Sequence, residues 1–73
     1  MQMTYSKQAD AMYIRFSEDG EGKVARTEEI KPGLLLDYDH EGHLYGIELL
    51  DVSTQVPREA LKILQVGLLE PTA

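Results

Sequence analysis

From Leu34 to Leu50 the chain reads Leu34-Leu35-Leu36-Asp37-Tyr38, then Asp39-His40-Glu41-Gly42-His43, then Leu44-Tyr45-Gly46-Ile47-Glu48-Leu49-Leu50. Two apolar runs joined by a short polar stretch holding Asp and Gly read as the strands of one β-hairpin. Side chains alternate between the faces of a strand. Leu34, Leu36 and Tyr38 therefore share one face and Leu35 takes the other, while Tyr45, Ile47 and Leu49 oppose Leu44 and Leu50. Both faces of this hairpin demand burial, and the rest of the chain has to supply it.

The chain has little else to supply it with. Its 73 residues make a single domain, 1–73, because two cores would each fall below the roughly 40 residues that fold alone. Ala11-Met12-Tyr13-Ile14-Arg15-Phe16 alternates with Met12, Ile14 and Phe16 on one side, as a strand does. Met3-Thr4-Tyr5 is a shorter β-prone piece, joined to it by the polar residues 6–10. The glycines and charges of residues 17–23 read as a solvated turn, and a third strand runs from Val24 to about Ile30. Lys31-Pro32-Gly33 suits a type II turn, in which proline presets one dihedral and glycine accepts a positive φ. Gly46 marks a bulge or a crowded approach.

After Pro57 the period changes. Ala60, Leu61, Leu64 and Leu68 recur at helical spacing, with Arg58, Glu59, Lys62 and Gln65 on the other side, and Leu61 and Leu64 are expected to fix the helix to the sheet. Ser53 or Thr54 is the candidate cap, the start lies between Ser53 and Pro57, and Gly67 is the candidate stop ahead of Pro71. The expected architecture is α+β: an antiparallel β-meander of about four to five strands over residues 3–50, one helix over about residues 54–67 packed on the sheet, and a tail at 68–73.

With thirteen acidic against seven basic side chains, the formal charge of −6 repels a phosphate backbone, so nucleic acid is not an expected partner. No segment approaches the roughly 20 apolar residues that cross a bilayer, and no signal-like apolar run opens the chain. No membrane role is expected. The absence of cysteine rules out disulfides and fits a reducing cytoplasm, the expected location.

Residues 37–53, with Asp10-Ala11-Met12-Tyr13-Ile14-Arg15-Phe16 and Ile30-Lys31-Pro32-Gly33 before them, resemble a bacterial and archaeal family catalogued as domain of unknown function 2283. The resemblance covers roughly residues 3 to 53 and implies a small β-meander with a trailing helix. It brings no catalytic residue, cofactor or substrate.

Two patterns bear on chemistry. Asp37, Asp39, Glu41 and Glu48 fall at positions 1, 3, 5 and 12 of a calcium-loop template whose sixth position is Gly42, but a strand would carry Glu48 away from Asp37 at about 3.3 Å per residue. The expectation is a hairpin turn in which Asp39 and Gly42 serve turn geometry. His40 and His43, with Asp37, Asp39 and Glu41 beside them, are the weak candidates for a transition-metal site, since neutral imidazole suits zinc, nickel or copper. No serine lies in a nucleophile setting and no phosphate-binding glycine loop is present.

The sequence therefore points to a non-enzymatic protein-interaction module without cofactor, working as a homodimer or with another protein. Its expected surface is Leu34, Leu35, Leu36, Tyr45, Ile47, Leu49, Leu68 and Leu69. The alternatives are a metal-binding protein or metal-dependent enzyme using the turn at residues 37–43, and an acidic neutraliser of a basic toxin-like partner.

Overall fold

A computed structural model describes residues 1–18 and 23–68, residues 67 and 68 by their backbone alone. Five strands, β1 (Gln2–Ser6), β2 (Ala11–Arg15), β3 (Arg26–Lys31), β4 (Leu34–Tyr38) and β5 (Leu44–Leu50), are followed by α1 (Val52–Gln55) and α2 (Arg58–Ile63). The strands form one antiparallel sheet in the order β1-β2-β5-β4-β3. The meander expected from the sequence runs through β3, β4 and β5. The β1–β2 hairpin then joins at β5, so the connection after Arg15 leads to the far edge of the sheet.

Composition explains this order. β5 is apolar on most of its length and takes the central position, where both neighbours shield it. β3 is Arg-Thr-Glu-Glu-Ile-Lys, exposed throughout, and its charges and a bulge between Glu29 and Lys31 suit an edge that must not pair further. Gly33 has φ 87°, as the expected Pro32–Gly33 turn requires.

The helical region differs from the single helix expected over 54–67. Pro57 interrupts it, because proline cannot donate to the preceding turn, and it is tolerated only where a second helix starts. Nor does Ser53 or Thr54 cap α1: Ser53 lies inside it, and the cap comes from Asp10 in the β1–β2 turn. The Asp10 carboxylate accepts the Ser53 N–H at 3.0 Å and the Ser53 hydroxyl at 2.7 Å, and its backbone carbonyl accepts the Val52 N–H at 3.0 Å. Asp10 adopts a left-handed φ of 54° to do so. Gly67 does not stop the helix either. It lies in a final wide π-type turn, Leu64–Leu68, which packs on β1 and brings the Gln65 amide to 3.3 Å from the Tyr5 hydroxyl.

The core is small. Among the described residues, Tyr5 (7 % exposed), Tyr45 (5 %) and Val52 (0 %) are the buried hydrophobic side chains. The apolar side chains of β2 and β4 stay half-buried, as do Leu61 and Leu64. Phe16, expected in β2, lies just beyond it and is 40 % exposed.

Candidate functional site

The register sorts the sheet into two chemically different faces. On one, neighbouring strands align Met3 and Tyr5, Met12 and Ile14, Ile47 and Leu49, and Leu34 and Leu36. Tyr45 continues this face by alternation. Charge enters only at the β3 edge, where Arg26 and Glu28 stand 3.6 Å apart and the Arg26 guanidinium lies 4.2 Å from the Tyr38 ring centroid. Four strands therefore carry an apolar band with no ionisable carboxylate or cation.

Leu34, Leu36, Ile47 and Leu49, expected as surface, do lie together on this face. Tyr45 belongs to the face but is buried, and Leu35 points to the other side opposite Glu48. The Leu68 side chain and Leu69 lie outside the described residues. Ile63 and Val66, outside the stripe expected from the sequence, are 69 % and 82 % exposed on the same segment whose Leu61 and Leu64 are half-buried. Their i and i+3 spacing was the available signal.

The opposite face is polar and tied together by its own bonds. The Tyr13 hydroxyl on β2 donates to Asp37 Oδ2 on β4 at 2.7 Å, passing over the intervening β5, and the Thr27 hydroxyl on β3 donates to Asp37 Oδ1 at 2.5 Å. Gly46 makes the crossing possible. A Cβ there would stand 2.6 Å from the Tyr13 ring carbon that bears the hydroxyl and 2.8 Å from the Ile14 carbonyl oxygen. Burial, and then the bond to the Asp37 carboxylate, push the Tyr13 hydroxyl well above the ordinary tyrosine range. A phenol that holds its proton this firmly is a structural donor, not a base at neutral pH.

The turn at residues 39–43 uses its acidic groups locally. Asp39 Oδ1 accepts the N–H groups of Glu41 at 2.9 Å and His43 at 2.8 Å, and Gly42 takes φ 86°. The His43 N–H bond, with help from that of Glu41, holds the Asp39 carboxyl below its ordinary value. His43 Nδ1 lies 3.5 Å from Glu41 and 3.7 Å from Asp39, whereas Asp37 is engaged by Tyr13 and Thr27 on the sheet. Among the described residues no three His, Asp or Glu side chains come together in a way that would hold a metal ion. An open cavity of about 210 Å³ lies between this turn and the β2–β3 connection, lined by Ser17, Lys23, Asp39, His40, Glu41 and Tyr45. Among the described residues no helix is long and apolar enough to cross a membrane.

The model of a family described as a protein of unknown function, DUF2283, matches residues 2–53. The chain belongs to this family. The matched span takes in the whole sheet and the first residues of α1, so the DUF2283 unit is the two-faced sheet together with the Asp10–Ser53 join. Comparison with curated proteins and with solved structures gave no match.

Proposed function

We propose that this DUF2283 protein is a non-enzymatic protein-interaction module that works as a homodimer. The observation that carries the reading is the apolar sheet face: a band across four strands on which Met12, Ile14, Leu34, Leu36, Ile47 and Leu49 are all left half-buried. Two copies that each carry a formal charge of −6 repel one another least through a surface free of charge, and this face supports the reading for that reason. The polar groups best placed for chemistry are spent on structure, with Tyr13 and Asp37 bridging strands and Asp39 shaping a turn. Sedimentation equilibrium at micromolar protein tests the reading. A monomer–dimer equilibrium or a single dimer mass is expected, and a monomer mass independent of concentration refutes it.

A further inference from the structure

The polar face of the sheet holds an open cavity of about 230 Å³ on β1, β2 and β5. Strand register accounts for its shape. Thr4, Tyr13 and Glu48 align in one cross-strand row and Ser6 and Ala11 in the next, so these five lining side chains share the face. Tyr5 and Met12, whose side chains belong to the opposite face, close the floor. Ala11 makes the hollow, because a methyl stands on β2 where the next two positions on this face are Tyr13 and Arg15. The Tyr13 hydroxyl is committed to Asp37, so Tyr13 lines the cavity as an apolar body.

One charged group there has no partner. Glu48 is half-buried on the central strand, and among the described residues neither a hydrogen bond nor an ion pair reaches its carboxylate. Its neighbours in the sheet are placed differently: Asp37 accepts two hydroxyls, Glu28 lies 3.6 Å from Arg26, and Glu29 is exposed on the edge strand. Arg15, the cation of this face, turns instead to β1, where its Nη2 donates to Gln2 Oε1 at 2.7 Å. A carboxylate drawn partly out of water is stabilised by a cation beside it. Thr4 and Ser6 add hydroxyl oxygens, and Ser6 Oγ, which accepts the Ala9 N–H at 3.1 Å, keeps a second lone pair.

We infer that this cavity binds a primary alkylammonium group, the chemistry of a lysine side chain. The Glu48 carboxylate and the two hydroxyls offer acceptors to the three N–H donors of an ammonium, while the Ala11 hollow beside Tyr13 receives the aliphatic stem. A cavity of about 150 Å³ takes up benzene, so about 230 Å³ has room for the smaller n-butylammonium. The formal charge of −6 draws cations to the surface and turns anionic ligands away. The site lies on the face opposite the proposed homodimer surface and stands or falls apart from it.

The test titrates the full chain with n-butylammonium chloride at neutral pH and low salt, followed by amide NMR. Shifts should centre on Thr4, Ala11 and Glu48 and saturate with a dissociation constant on the order of 10 mM, in keeping with one ion pair and a short stem on an open site. n-Butanol, which lacks the charge, should bind about fivefold more weakly, and Glu48→Gln should weaken n-butylammonium by about the same factor. Ala11→Leu should abolish the shifts by filling the hollow, whereas Glu29→Gln on the edge strand should change nothing, with circular dichroism checking that each variant is folded. A capped Gly-Lys-Gly peptide that binds as well as the amine makes a protein lysine the source of the group, and a peptide that fails to bind makes it a free amine. Shifts that rise without saturating, that n-butanol matches, or that persist undiminished in Glu48→Gln overturn the site, whatever the oligomeric state of the chain.

Discussion

Replacing Gly46 with alanine tests the polar face. In an ordinary strand the change should help, since glycine is worth roughly 0.5–1 kcal/mol less than alanine inside regular structure. Here the new methyl meets the Tyr13 ring at 2.6 Å and the Ile14 carbonyl oxygen at 2.8 Å. The carbonyl belongs to the backbone of β2 and cannot yield without disturbing the β2–β5 pairing, so the ring must leave. Its departure breaks the 2.7 Å bond to Asp37, a hydrogen bond to a charged group worth about 1.5–3 kcal/mol, and overpacking adds about 1–3 kcal/mol. After the intrinsic gain is subtracted, Gly46→Ala should cost about 1.5–5.5 kcal/mol. A core this small supplies roughly 3–5 kcal/mol in all, so the variant should lose most of its stability. Urea unfolding followed by circular dichroism, at one protein concentration because the proposed dimerisation would feed into the midpoint, measures the loss. Repeating the change in a Tyr13→Val background removes the ring beforehand, and there Gly46→Ala should cost at least about 1 kcal/mol less. Equal costs in the two backgrounds, or a Gly46→Ala protein as stable as the natural one, would refute the account of why glycine stands here.

The raised titration of Tyr13 makes stability depend on pH on the alkaline side. Its folded value lies above the ordinary tyrosine value of about 10, so its contribution is complete below that pH and is lost as pH climbs toward the folded value. The stability advantage of the natural protein over Tyr13→Phe, measured by urea unfolding from pH 7 to 11, should hold steady to about pH 10 and shrink beyond it. An advantage independent of pH would break the assignment. At Asp10, alanine should cost about 1–2 kcal/mol for the lost cap on α1, whereas glycine loses the same cap but relieves the roughly 1 kcal/mol that a β-carbon costs at φ 54°. Thermal unfolding of the two variants should therefore rank Asp10→Gly above Asp10→Ala, and the opposite order would remove the left-handed backbone from the explanation.

How much of this was legible depended on how local the cause was. The hairpin of β4 and β5, the Pro32–Gly33 turn and the turn role of Asp39 and Gly42 each follow from a few adjacent residues, and the sequence carries them openly. Strand order depends on which of several possible pairings closes the sheet. The signal for it lay in contrast between strands: β3 has the charges of an edge and β5 the apolar content of a centre. The Tyr13–Asp37 bond joins residues 24 apart and needs the register of three strands before it can be seen, although Gly46 stood out beforehand as a crowded approach. The cap from Asp10 to Ser53 is likewise a tertiary contact, 43 residues apart, that no local capping pattern contains. The helical region differs for another reason: its apolar stripe starts at Ala60, after Pro57, while Ser53 and Thr54 look like caps ahead of the proline, and the break between α1 and α2 falls between the two signals.

The two faces of the sheet meet the demand for burial in different ways, and the difference bears on function. On the polar face Asp37 receives hydroxyls from β2 and β3, a bridge across four adjacent strands, while the buried Arg15 Nε has no hydrogen-bond partner and Leu44 and Leu50 are each 38 % exposed. On the apolar face, among the described residues, the helical segment packs on β1 at one edge, and the half-buried side chains of β2, β5 and β4 are the observation on which the homodimer proposal rests. The family match ends at residue 53, before this helix begins. The homodimer proposal therefore draws on the sheet, which the DUF2283 match spans, and not on the helix beyond it.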